Sequence, residues 1–488
     1  MMPLSEGYEA DVRAYLYGNQ VQPLLLSTAG RGIWCPEGFS FSFTDGVLHL
    51  TNAGAEIDTF SSGSTLKSAY LHASDTYFPP SGELPDELLF AEPQYNTWIE
   101  LQYNQNQADI LRYAHDIIDN GLPPGVLMID DNWQENYGKW DFHPGRFPDP
   151  AAMMRELHDL GFKVMLWVCP FVSPDSDVFR AQTAEGIFLL EADTTKKFRG
   201  HRRPQMVNWW NGVSAVLDLS NPRARSWFQG RLDYLQETYG VDGFKLDAGD
   251  AEFYVDGIPH AAGTSPNEQA RLFAEVGLRY PLNEYRACFK MGGQPLVQRL
   301  RDKSHSWADL QKLVPQMITS GLAGYYFSCP DMIGGGEFTS FAPGADLDEE
   351  LIIRSAQVHA LMPMMQFSVA PWRILDAAGF AAVREAVALR SRFKDLILTT
   401  ARASAASGEP ILRPLEYNYP GRGFTEVTDQ FMIGETLLVA PVIEPGARRR
   451  AVVLPPGRWR GADGTVHEGG RTVEVAAGLN TLPYFVRE

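Results

Sequence analysis

Between residues 95 and 395 the chain alternates short apolar runs with longer amphipathic ones, and this alternation constrains its fold more than any other feature. Strand candidates are Tyr95–Leu101, Gly125–Asp131, Lys163–Cys169, Asp242–Ala248, Ala287–Met291, Leu296–Asp302, Gly321–Ser328 and the Met362–Ser368 region. Helical patterns over Gln107–Asn120, Ala151–Leu160, Arg223–Tyr239 and Ser306–Ser320 lie between them. About eight βα units over roughly 300 residues fit a closed barrel better than an open sheet. The fold expected is therefore α/β: a (β/α)8 TIM barrel over 89–397 with β domains on either side. The stretch Ser173–Gly212 is too long for an ordinary loop and reads as an insertion over the barrel mouth.

The flanks have a different texture. Residues 1–88 carry short β-like runs, among them Gly46–Asn52 and Ser68–His72, and the Pro/Gly-rich stretch 79–87 reads as a linker into the barrel. This predicts a small N-terminal β-sandwich-like domain. Beyond residue 397, Gln430–Ile433, Thr436–Pro441, Arg450–Pro455 and Thr472–Ala476 return to a β pattern, which predicts a C-terminal β-sandwich domain over 398–488.

Charge narrows the function classes. With 42 basic and 60 acidic residues the net charge is −18, which argues against binding nucleic acid or an anionic membrane. No apolar run approaches the ~20 residues of a membrane span. The start lacks the basic-then-apolar layout of a signal peptide, so a cytoplasmic protein is expected. Four cysteines (Cys35, Cys169, Cys288, Cys329) without a CxxC are neither a disulfide framework nor a zinc site. Cys169, Cys288 and Cys329 read as small core residues.

In a TIM barrel, residues at the C-terminal ends of strands build the active site. Here those ends are polar. Met128–Trp133 closes one strand with Asp130, Asp131, Asn132 and Trp133, and Lys163–Trp167 closes another with Trp167. Gly243–Asp250 places Lys245 and Asp247 two apart, on one face of a strand, and Leu296–Asp302 ends in Asp302. An ammonium beside a carboxylate lowers the acid's pKa and keeps it ionised, as a carboxylate nucleophile requires. A second carboxyl in a drier setting would be raised and could act as general acid. Two carboxyls with divided roles are the parts of glycoside hydrolysis, and a separation of about 5 Å would mean retention. Taken alone, Lys245–Asp247 is equally readable as a buried ion pair. A Mg²⁺ site of the enolase type fits less well, since Lys163 begins its strand and the acids do not fall on consecutive strands. The ten histidines show no HExxH, His305 reads as a loop residue, and Gly334–Gly336 as a turn rather than a phosphate loop.

At these residues the chain resembles glycoside hydrolase family 31, from about residue 90 to the C-terminus. The resemblance is carried by Ile129–Trp133, Lys163–Trp167, Gly243–Asp250, Arg301-Asp302 with Trp307, and Pro330–Gly335. It implies Asp247 as nucleophile and Asp302 as acid/base. It also implies Arg286, sixteen residues before Asp302, as a sugar ligand, with Asp130, Trp133, Trp167 and Lys245 in the same subsite. Asp131 and Trp98, from the same segments, complete the candidate binding set. The implied reaction is a retaining, exo-acting α-glycoside hydrolysis of a small oligosaccharide or glycoside, needing no metal or organic cofactor. A homo-oligomer is compatible with it.

Substrate choice is where the pattern departs from the family's α-glucosidases. Their Asp-x-Asp is replaced by Asp130-Asp131-Asn132, and their Arg-x-His by Met364–Ser368, which leaves Gln366 and Ser368 without an assigned role. Pro93–Leu101, Phe244–Asp250 and Met362–Arg373 look more like the family's bacterial α-galactosidases and its animal myogenesis-regulating glycosidase. α-D-Galactosides are thus the expected substrates, with α-glucosides, α-xylosides and α-N-acetylgalactosaminides as alternatives. A non-catalytic glycan-binding barrel is the alternative of another class; it would require loss of the nucleophile or the acid, and both are present.

Overall fold

The structure, a computed structural model, describes residues 7–13, 19–192, 203–342 and 344–488. Its centre is a ring of eight parallel strands in chain order: β1 (Gln94–Asn96), β2 (Val126–Ile129), β3 (Lys163–Val168), β4 (Gly243–Leu246), β5 (Leu282–Tyr285), β6 (Gln298–Arg299), β7 (Ser328–Cys329) and β8 (Gln366–Phe367). β8 pairs with β1, and Met332, just past β7, bridges to Gln366, so the barrel closes. β2 is Val-Leu-Met-Ile and wholly buried, as a strand covered on both faces must be.

The surrounding helices start where the sequence supplies caps. Asn106, Asp149, Asn221, Ser265 and Ser306 each accept a backbone N–H of the first turn. Pro150, Pro222 and Pro266 follow three of these caps, where a missing N–H costs nothing. Helix Gln107–Asp119 turns Ile110, Tyr113, Ala114 and Ile117 to the core.

Of the expected strands, Tyr95–Leu101 gives β1 only its first two residues before helix Trp98–Leu101, Gly321–Ser328 gives β7 only Ser328, and two more are not what they looked like. Ala287–Met291 does not enter the barrel: Cys288–Phe289 pairs in parallel with Gln20–Val21 of the N-terminal segment. The fifth barrel strand is Leu282–Tyr285 instead, disguised because its inward side carries Glu284 rather than an apolar residue. Ser68–His72 lies inside helix Leu66–Tyr77, started by a capping box between Thr65 and Ser68. Alternation over five residues was too short to separate the two periods.

The N-terminal strands form two three-stranded sheets, Glu9–Asp11/Ser40–Thr44/Val47–Thr51 and Leu24–Leu26/Arg31–Trp34/Asp58–Ser61. The C-terminal region has a six-stranded sheet and the pair Arg449–Leu454/Arg471–Ala476, packed around Trp459, Leu438, Leu454 and Phe485. The boundary expected at 397/398 falls inside the 31-residue helix Ala377–Ser407. Within 173–212, the hairpin Met206–Trp209/Gly212–Val216 carries Trp210 and Asn211 at its turn, and residues 193–202 lie outside the described residues. Among the described residues no helix is long and apolar enough to cross a membrane. All four cysteines are free and buried.

Candidate active site

A cavity of about 820 Å³ opens at the C-terminal ends of the strands, lined by Trp98, Asp130, Asp131, Trp167, Lys245, Asp247, Arg286 and Asp302 among others. Eight of the nine residues expected in the site are therefore brought together. The ninth, Trp133, is fully buried beneath the wall, where its Nε1 donates to the Trp167 carbonyl at 2.8 Å. It supports Trp167 and offers no platform to a sugar.

Asp247 follows β4 directly. Its Oδ2 accepts Trp167 Nε1 at 2.7 Å and lies 3.9 Å from Lys245 Nζ, and its Oδ1 lies 3.8 Å from Arg286 Nε. Burial works to raise this carboxyl, but Lys245, Arg286 and Arg299, helped by the Trp167 hydrogen bond, outweigh it and hold Asp247 below the usual carboxylate range. The next residue, Ala248, has φ +53°, a strained value for a residue with a Cβ and one that recurs at functional sites.

Lys245 donates to Asp130 Oδ2 at 2.8 Å. Burial pulls its pKa down, yet Asp130, seconded by Asp247 and Glu284, holds it above the ordinary value, so the ammonium persists. This ammonium occupies the space between Asp130 and Asp247 that a bridging Mg²⁺ of the enolase type would need. Among the described residues no group of three or more His, Cys, Asp or Glu is placed to hold a metal ion.

Arg286 donates from Nε to Asp250 Oδ2 at 3.0 Å and lies 5.0 Å beneath the ring of Trp210, the exposed tryptophan of the hairpin turn. Tyr137 donates its hydroxyl to Asp131 Oδ1 at 3.0 Å, and Asn211, next to Trp210 in the same turn, donates to Asp131 Oδ2. Burial, with the charge of Asp130 added, pushes Asp131 up to about 7.

Asp302 departs from expectation. It was to sit in a dry setting with a raised pKa; instead a third of its side chain is exposed, and Arg299 Nη1 donates to its Oδ1 at 2.5 Å. Burial acts to raise it, but Arg299, Arg286 and Lys245 hold it below the usual range. Arg299 also donates to Asp331 Oδ1 at 2.7 Å. Burial pushes Asp331 up to about 6 although Arg299 pulls it down, and Asp302 adds to the push.

Residues 91–400 match the glycosyl hydrolases family 31 TIM-barrel domain and 408–488 the family's C-terminal domain. The chain belongs to glycosyl hydrolase family 31. Among curated relatives, the mouse myogenesis-regulating glycosidase is 35% identical over 417 residues, covering 83% of this chain and 57% of the relative. A 1,3-alpha-isomaltosidase of Kribbella flavida is 29% identical, covering 64% of this chain and 46% of its own. This family 31 chain thus spans about half the length of these relatives. Among solved structures, a GH31 dextranase of Flavobacterium johnsoniae complexed with glucose superposes with a TM-score of 0.85 at 20% identity, over 99% of this chain and 63% of that one.

Several residues of this family 31 site escaped the sequence. Gln366 and Ser368 do not line the cavity: Gln366 Nε2 donates to Glu284 Oε2 at 2.7 Å in the barrel core, and Ser368 Oγ accepts Ile99 N at 2.8 Å. Arg299 and Asp331 lay in segments already noticed, but nothing in their spacing signals that Asp331 shares Arg299 with Asp302. Trp210 lines the site from the hairpin and Asn211 meets it through Asp131, while Tyr8, Asn19 and Gln20 reach it from the N-terminal region. Gln20 Nε2 donates to the carbonyls of Arg286 and Arg299 at 2.6 and 2.8 Å, so the N-terminal segment braces the loops behind both arginines.

Proposed function

We propose that this chain is a retaining, exo-acting α-glycosidase whose preferred substrates are terminal α-D-galactosides. The observation that carries the reading is that Asp247, ringed by Lys245, Arg286 and Trp167, shares one cavity with Asp302. Asp302 protonates the glycosidic oxygen as that C–O bond breaks, while Asp247 attacks the anomeric carbon. Asp302 then takes a proton from water as the glycosyl–Asp247 bond is hydrolysed. Trp98 presents apolar surface, Trp167 holds Asp247 through its Nε1, and Asp130, Asp131, Lys245 and Arg286 orient hydroxyl groups.

The galactoside preference is supported by what faces the cavity. The wall is built on Asp130, Asp131 and Lys245, and Gln366 and Ser368, in the Met364–Ser368 stretch that stands where α-glucosidases of the family carry Arg-x-His, are turned into the core. A buried polar site rejects a sugar whose hydroxyls do not match it by several kcal/mol, because its own groups are left unpaired. Relatives named as isomaltosidase and alpha-xylosidase make glucosides and xylosides the competing outcomes. The test is a panel of nitrophenyl α-galactoside, α-glucoside, α-xyloside and α-N-acetylgalactosaminide. The galactoside should show the highest kcat/KM by at least about tenfold. A higher value for another sugar reassigns the substrate, and no turnover of any α-glycoside overturns the enzyme reading.

A further inference from the structure

Arg299 serves three carboxylates. Its Nη1 reaches Asp302 and Asp331, and its Nε lies 3.4 Å from Glu284 Oε1. Arg299 is 2% exposed, and Glu284 and Asp331 are fully buried. The two aspartates are not equivalent. Asp331 accepts Arg299 at Oδ1, and Lys303 N at 2.7 Å and Gly336 N at 3.1 Å at Oδ2, so both of its oxygens are engaged. Asp302 has a donor on Oδ1 alone; among the described residues none reaches Oδ2.

Two further features mark Asp331. Its φ is +89°, a costly backbone for a residue other than glycine. A Cβ at Gly336 would lie 2.8 Å from Asp331 Oδ1 and 3.3 Å from Asp302 Oδ1, so the glycine leaves room for the two carboxylates to flank one nitrogen. The other charged groups facing Asp302 are Arg286 and Lys245 across the cavity, with Lys303 beside it in the chain.

We propose that Asp331 is a positioning residue for the acid–base step: by keeping Arg299 paired, it lets Asp302 take up and release its proton without stranding a buried guanidinium. The proposal rests on the reading of Asp302 as acid/base. When Asp302 is protonated, Arg299 still faces Asp331 and Glu284, so no uncompensated buried charge appears. Two carboxylates on one nitrogen titrate as a pair, so the proton they take up belongs to both. Asp302 Oδ2 is the oxygen with room to hold it. In the first step this O–H bond breaks and its proton goes to the leaving oxygen; in the second, a proton of the attacking water restores it.

The test is the pH profile of kcat/KM for wild type, Asp331→Asn and Glu284→Gln. Each is measured on two aryl glycosides of the sugar the panel selects, one activated and one with a poor leaving group. Asparagine tolerates the left-handed backbone and removes the charge. Arg299 is then left with Asp302 as its main partner and clamps it ionised. The alkaline limb should move to lower pH by about one unit in Asp331→Asn and by less in Glu284→Gln. At neutral pH, Asp331→Asn should lose roughly tenfold on the poor leaving group and little on the activated one. An unmoved limb, or one moved upward, in folded Asp331→Asn overturns the proposal; should that variant not fold, an unmoved limb in Glu284→Gln does so. If Asp302→Ala retains its leaving-group dependence, such a failure removes the role of Asp331 alone. Equal loss on both substrates in Asp302→Ala removes the reading of Asp302 with it.

Discussion

On the β2–β4 flank of the cavity, strands of four to six residues end in charges with a dominant partner each: Lys245 on Asp130, Trp167 on Asp247. On the β5–β7 flank, β6 and β7 shrink to two residues, and one guanidinium, Arg299, is divided among Asp302, Asp331 and Glu284. The first flank fixes a charge state. Lys245, Arg286 and Arg299 together outweigh burial at Asp247, so its carboxylate stays ionised. The second flank leaves a charge state adjustable, because three carboxylates share Arg299 and one of them can be neutralised while the guanidinium stays paired. A nucleophile needs the former and a proton carrier the latter.

The largest break in this contrast is Asp247→Ala. Turnover of an aryl glycoside should fall by at least about 10⁴-fold while the thermal transition stays intact. A residual rate within tenfold of wild type would remove Asp247 from the mechanism. Next comes Asp302→Ala. Poor leaving groups should lose about 10²- to 10⁴-fold, whereas nitrophenyl glycosides, which need no proton, should lose far less in their first step.

Asp131→Asn sharpens the comparison, since Asp131 is the adjustable group on the fixed flank. Its folded value of about 7 lies above the ~3.9 of an unfolded chain, so the folded protein binds the extra proton. Its contribution to stability is complete below about pH 4 and is lost as pH rises through about 7. The stability of wild type relative to Asp131→Asn should therefore decline from pH 5 to pH 8 in urea titrations; a constant difference would show that Asp131 does not titrate there. The smallest effect belongs to Trp210→Ala. Loss of its contact with Arg286, worth about 0.5–1 kcal/mol at an exposed position, should raise KM a few-fold with kcat nearly unchanged. A collapse of kcat would mean that the hairpin turn orders the reacting groups themselves.

Legibility followed this divide only in part, since Asp302 beyond β6 was as readable as Asp247. The polar ends of β2, β3 and β4 were readable because apolar strands announce themselves and their closing residues stand out against them. β5 was not: Leu-Asn-Glu-Tyr carries its charge into the barrel, and the Cys288–Phe289 run beside it looks more like a strand than the true one. Trp133 illustrates the converse error. A tryptophan at a strand end looks like a sugar platform, but whether it faces the cavity or lies beneath it depends on the loop after Asn132, whose φ of +73° turns the chain.

What the sequence determined by itself was the succession of strands and helices, the caps between them, and the carboxylates, ammonium and guanidinium offered to the rim. Those follow from local periodicity and from side-chain chemistry at strand ends. Which charge meets which was decided by the closed barrel alone. Lys245 finds Asp130 across 115 residues and Trp167 finds Asp247 across 80, and Asp302 and Asp331 meet on one nitrogen only because β6 and β7 are neighbours. Such pairings depend on register and on a few tenths of an ångström of room, as at Gly336, and neither is written in spacing along the chain.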